Sequence, residues 1–149
     1  MGEDVWVFIP RKELKNIYLD EIGRLFIIEG CRWHFVVPEY VRNNIDKHRV
    51  DAETLHEQIF MCIRDIADYQ ARNDLDKDEK QRKVTWLTEQ LTKMKELYNL
   101  LKRTKAVLVG DYDEDAIDEM RKDPNYIFVW SLKNFIDAHI DEIPNTLSE

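Results

Sequence analysis

Cysteine is scarce in this chain: Cys31 and Cys62 are the two in 149 residues. Two thiols cannot staple a small secreted scaffold, so a cytoplasmic protein with reduced thiols is expected. Long apolar runs are missing as well. No stretch approaches the roughly 18 to 20 residues that a membrane span needs, and no membrane partner is expected. The opening residues MGEDVWVF have neither the basic start nor the cleavage site of a secretion signal. Trp6 occupies the place where a myristoylation signal carries Ser or Thr. Glycine and proline number four each, which leaves no rich linker to divide the chain, and one domain over residues 1–149 is expected. Common nucleotide and nucleophile motifs are absent too. Gly110 is followed by acids rather than by a GxGxxG or Walker pattern, and no Ser or Cys stands in a nucleophile elbow.

Charge of both signs is plentiful but unevenly placed. Residues 1–50 carry 8 basic and 8 acidic side chains, and residues 51–105 carry 11 of each. Residues 106–149 carry 3 basic and 11 acidic, so the whole net charge of -8 lies there. A field of one sign repels nucleic acid and attracts cations or a basic protein. Nucleic acid is therefore an expected partner only where bound metal reverses the sign. Lys93, Lys95, Lys102, Arg103 and Lys105 make the reverse, a basic helix end. It complements the helix dipole and offers a modest contact for RNA or an acidic partner.

Hydrophobic spacing predicts an α/β fold. VWVFI (5–9), HFVV (34–37), AVLV (106–109) and IFVW (127–130) are short continuous apolar runs of the buried-strand type. Between them the period lengthens to that of a helix. Leu14, Tyr18, Ile22 and Leu25 predict one amphipathic helix after Pro10, and Val41 with Ile45 a short one after Pro38. Leu55, Ile59, Ile63 and Ile66 predict a helix over 51–72 with Asp51 or Ala52 near its cap. Val84, Leu87, Leu91, Met94, Tyr98 and Leu101 then repeat at alternating spacings of three and four, a heptad seam over 78–104. A last helix starts at Ser131 and turns Leu132, Phe135, Ile136 and Ile140 inward. Strands alternating with helices predict a small parallel sheet of about four strands covered by helices, with residues 51–104 inserted as a long helical hairpin. A coiled-coil homodimer is the other use of the seam. Trp86 and Leu100 fall off it and give the second helix another apolar edge, for a partner or for the sheet.

The stretch VLVGDYDEDAIDEM concentrates the candidate chemistry. Asp111, Asp113 and Asp115 are one candidate set of Mg²⁺ or Mn²⁺ ligands, with Asp113 and Asp115 the core of it. An EF-hand is excluded, because Ala116 stands where that loop needs Gly and Lys122 where it needs Glu. The second reading is a helix start in which Asp113 or Asp111 caps the helix, while Glu114 and Asp115 meet its positive end. The third is a docking surface of Asp113, Glu114, Asp118 and Glu119, with Trp86 and Leu100 as apolar contacts elsewhere. CRWH places Cys31 and His34 at a spacing that can hold zinc. No second pair follows, so a packed thiol and a hydrogen-bonded histidine are expected, and His48, His56 and His139 are scattered.

LDEIGRLFIIEGCRWHFVVPEYVRNNIDKH (19–48) and the ending VWSLKNF (129–135) resemble parts of a PIN domain. PIN domains are small α/β metal-dependent ribonucleases, familiar as the toxins of toxin–antitoxin pairs. The resemblance covers residues 19–48 and 106–136. It implies three or four carboxylates at the C-terminal ends of strands, holding one or two divalent ions that activate water. The chain departs from that pattern. Ile9 and Pro10 follow the first strand where the family has Asp. Asn43 or Asn44 stands at the second acidic position, and Leu132 or Lys133 near the last. Asp113 or Asp115 matches the third. The resemblance thus implies a PIN-like scaffold with a decayed site. Such a protein would bind no cofactor and act through contacts of its acidic C-terminal third, regulating or inhibiting a basic or nucleic-acid-binding partner. A divergent Mg²⁺- or Mn²⁺-dependent ribonuclease is the alternative, using Asp111, Asp113 and Asp115 with help from Asp4 or Glu39. An oligomeric scaffold on the heptad seam is the third option.

Overall fold

The computed structural model describes residues 5–29, 32–45, 49–129 and 132–143. Strand β1 (Val5–Pro10) leads into a 3-10 helix (Arg11–Asn16) and helix α1 (Leu19–Gly23). A hairpin of β2 (Phe26–Glu29) and β3 (Arg32–Phe35) follows, then α2 (Glu39–Asn44) and the two-residue strand β4 (Arg49–Val50). The long helices α3 (Ala52–Ala71) and α4 (Lys77–Thr104) come next. The chain closes with β5 (Val107–Gly110), α5 (Glu114–Lys122), β6 (Tyr126–Val129) and α6 (Leu132–His139).

The expected α/β class holds, and the expected parallel sheet does not. Among the described residues β4, β5, β1 and β6 lie side by side in that order, and every pairing is antiparallel. Val5 pairs with Gly110 and Phe8 with Val107 on one side of β1. On its other side Val7 pairs with Val129 and Pro10 with Tyr126. β5 and β6 therefore run the same way, joined by α5 as a crossover that leaves a gap of one strand. β1 fills that gap in the opposite direction. Alternation of strand and helix is what a parallel neighbour pair would also show, so the pattern alone could not reveal the inserted strand.

Two further expectations change, one for a strand and one for a helix. HFVV does not join the main sheet: Arg32–Phe35 pairs with Phe26–Glu29 in a separate two-stranded hairpin. The continuous helix over Leu14 to Leu25 is interrupted, because Ile17 is extended with φ -101° and ψ 124°. That extended residue turns Ile17 inward and leaves Tyr18 exposed, while Leu14, Ile22 and Leu25 stay buried.

Residues 51–104 form the expected hairpin. Asp51 caps α3 in a reciprocal box: the Thr54 N–H donates to Asp51 Oδ1 at 2.9 Å, and the Asp51 N–H donates to Thr54 Oγ1 at 2.8 Å. Packing between the two helices brings the His56 and Tyr98 rings to 5.7 Å, and the Cys62 thiol donates to the Leu87 carbonyl at 3.4 Å. The heptad seam divides by position. Leu87, Met94 and Leu101 are buried, whereas Val84, Leu91 and Tyr98 are half-buried at the edge. On α3, Cys62 takes the inward place expected for Ile63, which is exposed beside Phe60. In the last segment, Ile140 lies beyond the end of α6 and is exposed. Ser131, its expected cap, is outside the described residues.

Each strand alternates its side chains between two faces. Val5, Val7, Ile9, Leu108, Ile127 and Val129 look into the main core beneath the helices. Trp6, Phe8, Val107, Val109, Tyr126 and Phe128 look the other way, onto Ala116, Ile117 and Met120 of α5. Among the described residues no helix is long and apolar enough to cross a membrane.

Candidate functional site

The acidic segment begins where β5 stops. The Asp113 N–H donates to the Gly110 carbonyl at 3.0 Å, closing a tight turn. Asp111, in that turn, accepts the indole N–H of Trp6 at 2.9 Å. Asp113 then caps α5, its Oδ1 accepting the Ala116 N–H at 3.2 Å. The cap satisfies one of the free donors at the helix start, and Glu114 and Asp115 in the first turn complement its dipole. Arg121 and Lys122 do the same for the last turn.

Below this turn lies an aromatic layer. Trp6 stacks on Phe128 with ring centroids 4.5 Å apart, and Phe8 meets Phe128 at 5.5 Å. The Arg121 guanidinium rests 5.7 Å from the Trp6 ring centre. Asp111 and Arg121 thus hold Trp6 from its N–H edge and its face, one a charge-assisted hydrogen bond and the other a cation–π contact. Burial of Ile117 and Met120 on this layer contributes about 1.5–3 kcal/mol for each side chain. That matters because a nine-residue helix is marginal by itself in water.

The six acids therefore have different jobs. Asp111 and Asp113 are each committed to a hydrogen bond inside the protein. Glu114, Asp115, Asp118 and Glu119 are exposed around the outside of α5, and Tyr112 is 60% exposed at its start. Among the described residues no three His, Cys, Asp or Glu side chains converge to hold a metal ion. Glu39 belongs to α2, where it lines a groove with Leu97 and Leu100. Asp4, Cys31 and His48 lie outside the described residues. Antiparallel pairing adds a topological reason. The C-terminal ends of β1 (Ile9, Pro10) and β5 (Gly110) lie at opposite ends of the paired strands, so acids following both strands would not meet. Asn44 is used locally, its amide donating to the Tyr40 carbonyl at 2.7 Å.

No family model, curated protein or solved structure matches this chain.

The other expected contact residues differ in exposure. Leu100 is 5% exposed and packs in the main core rather than on an open edge. Trp86 is half-buried, with the Lys83 ammonium 5.1 Å from its ring centre. Asp113 takes the helix-cap place that the second reading of the segment gave it.

A polar lattice that sequence spacing missed ties α2 to the hairpin. Gln90, itself buried, accepts the Tyr40 N–H through Oε1 at 3.0 Å, and the Tyr40 hydroxyl donates to Asp65 at 2.9 Å. Burial, then the bond to Asp65 and its charge, push the Tyr40 phenol above its ordinary range. Burial first, and the Asp65 charge second, likewise push the Cys62 thiol up. A thiol held protonated and fully buried is a poor nucleophile; the lattice is an anchor rather than a reactive centre.

Proposed function

We propose that this protein works through protein contacts, with the outer face of α5 as the docking surface for a basic partner. The observation that supports this is the division of labour among the acids. Asp111 and Asp113 fix the turn, and Glu114, Asp115, Asp118 and Glu119 are left to solvent beside an exposed tyrosine. Four carboxylates on one short helix produce a local negative field that steers a cationic surface and speeds encounter. Tyr112 supplies a rigid amphipathic contact of the kind enriched at interfaces. Regulation or inhibition of a basic or nucleic-acid-binding protein is the role this surface fits. The PIN-like wording of residues 19–48 enters the proposal as a scaffold resemblance and contributes no catalytic group.

Fluorescence anisotropy with a labelled Lys/Arg-rich peptide tests the reading. Binding should be saturable, weaken steeply as salt rises, and fall about tenfold or more in the Asp118→Lys, Glu119→Lys double variant. Binding that ignores both salt and this charge reversal would sink it.

A further inference from the structure

One broad side of the α3–α4 hairpin packs into the main core, and the other is open and apolar. On α3, His56, Phe60, Ile63 and Ala67 follow one another at spacings of four, three and four, a single stripe of the helix. All four are exposed, Phe60 at 61% and Ile63 at 43%. On α4, Leu91 and Tyr98, the half-buried edge of the heptad seam, continue the surface. The His56 ring joins the two helices, meeting Phe60 at 4.9 Å and Tyr98 at 5.7 Å. A contiguous patch of this kind marks an interaction site, unlike the single apolar residues scattered over any surface.

The two rims of the patch carry opposite charge. The outer rim along α3 is Glu53, Glu57 and Asp68 with Arg64, and the rim along α4 is Lys77, Lys95 and Lys102, all exposed. Glu96 does not offset those lysines on this face, because one residue past Lys95 is about 100° further round the helix. Among the described residues none of Glu53, Glu57, Lys95 and Lys102 is ion-paired. Lys102 rests 6.0 Å from the Tyr98 ring centre. Both rims are thus open to charges on an incoming surface.

We propose that this face joins a second copy of the chain, in a two-fold dimer that lays α3 of each copy across α4 of the other. Two identical hairpins can meet face to face about a two-fold axis in two ways. An axis across the helices lays α3 on α3 and sets acids against acids. An axis along the helices lays α3 on α4 and sets each acidic rim against a lysine rim. Levels along the hairpin are kept in that second arrangement. His56 and Tyr98 stand at one level. Glu53 and Glu57 lie within about a turn of it on α3, and Lys95 and Lys102 within about a turn of it on α4. Glu53 and Glu57 of one copy therefore meet Lys95 and Lys102 of the other. A partner of one charge would match one rim and be repelled by the other, whereas a second copy matches both. The size also suits a dimer. Helices of 20 and 28 residues, each ~10 Å wide, present a face of about 30 by 20 Å. That is ~600 Å² in plan, and side-chain relief raises it toward the ~800 Å² per partner of a stable interface.

Sedimentation equilibrium of the full chain tests the proposal. The mass should rise from one chain to two, and no further, by about 100 µM, where a micromolar dissociation constant shows. Phe60→Asp should weaken the dimer about tenfold or more, as loss of a buried interface anchor does. Phe60 is a surface residue of the single chain, so the circular dichroism of this variant should be unchanged. Glu57→Lys should weaken the dimer about threefold or more, and adding Lys95→Glu should restore it, since both copies then carry exchanged charges. Charge reversal at Asp118 and Glu119 should leave the mass unchanged, which separates this face from the α5 surface. Four results would overturn the proposal. They are a single-chain mass throughout, growth beyond two chains, a dimer indifferent to Phe60→Asp, and a Glu57→Lys defect that Lys95→Glu does not repair.

Discussion

The two faces of the sheet are covered in opposite ways. One looks into a large aliphatic core in which Leu55, Met94, Leu101 and Leu108 are wholly buried under long helices. The other carries Trp6, Phe8, Tyr126 and Phe128 and is covered, among the described residues, by the nine residues of α5. The first face draws its stability from area. The second depends on specific contacts: a stacked aromatic pair, an indole bonded to Asp111 and a single carboxylate cap. A thinly covered face tolerates a polar, highly charged outer surface, since few of its groups have to be apolar. The same thinness leaves α5 held by few buried side chains, and elements with few buried apolar contacts are where binding surfaces tend to lie.

The largest expected effect is in the thick layer. Leu101→Ala should lower the unfolding free energy in urea by about 2–5 kcal/mol, because the surrounding core cannot collapse into the cavity. Met120→Ala in the thin layer should cost about 2 kcal/mol, the low end of that range, because α5 can shift. Equal losses would break the comparison between the faces. Next comes the cap. Asp113→Ala should cost about 1 kcal/mol, while Asp115→Ala should stay within about 0.5 kcal/mol. The same measurement checks both, and an equal pair would mean that Asp113 does not hold the helix start.

A smaller, pH-dependent effect belongs to the thick side. Cys62 and Tyr40 keep their protons in the folded protein beyond their ordinary ranges. The unfolded chain releases them near pH ~8.5 and ~10 respectively, so above those values it binds fewer protons than the fold. Stability from these two groups is therefore full below that window and declines as pH rises through it. Urea titrations between about pH 8 and 11 should show the decline, and Tyr40→Phe should flatten its upper part.

Much of this fold is legible in the sequence, and what is not has definite causes. The apolar runs locate β1, β5 and β6, and Asp51 with the heptad spacing locates the α3–α4 hairpin. Strand direction escapes, because a crossover from β5 to β6 reads the same whether or not β1 intervenes. The two-residue β4 is too short to carry a period. β2 is hidden in FII, which continues an apolar helical stripe. One signal was present and informative. In VWVFI the even positions are aromatic and the odd ones aliphatic, and YIFV repeats this division. That alternation marks the two faces seen in the structure. At the site, the acids are visible in the sequence but their roles are not: the partner of Asp111 is Trp6, 105 residues away along the chain. Asp113 could be read as a cap because its partner, Ala116, is three residues on.

Manganese titration followed by NMR line broadening tests most directly the claim that these carboxylates act separately. The account predicts weak, non-saturating broadening spread over Glu114, Asp115, Asp118 and Glu119, with the Trp6 indole N–H resonance unmoved. Saturable broadening centred on Asp111, Asp113 and Asp115, with the indole signal shifted and the effect removed by Asp115→Asn, would contradict it.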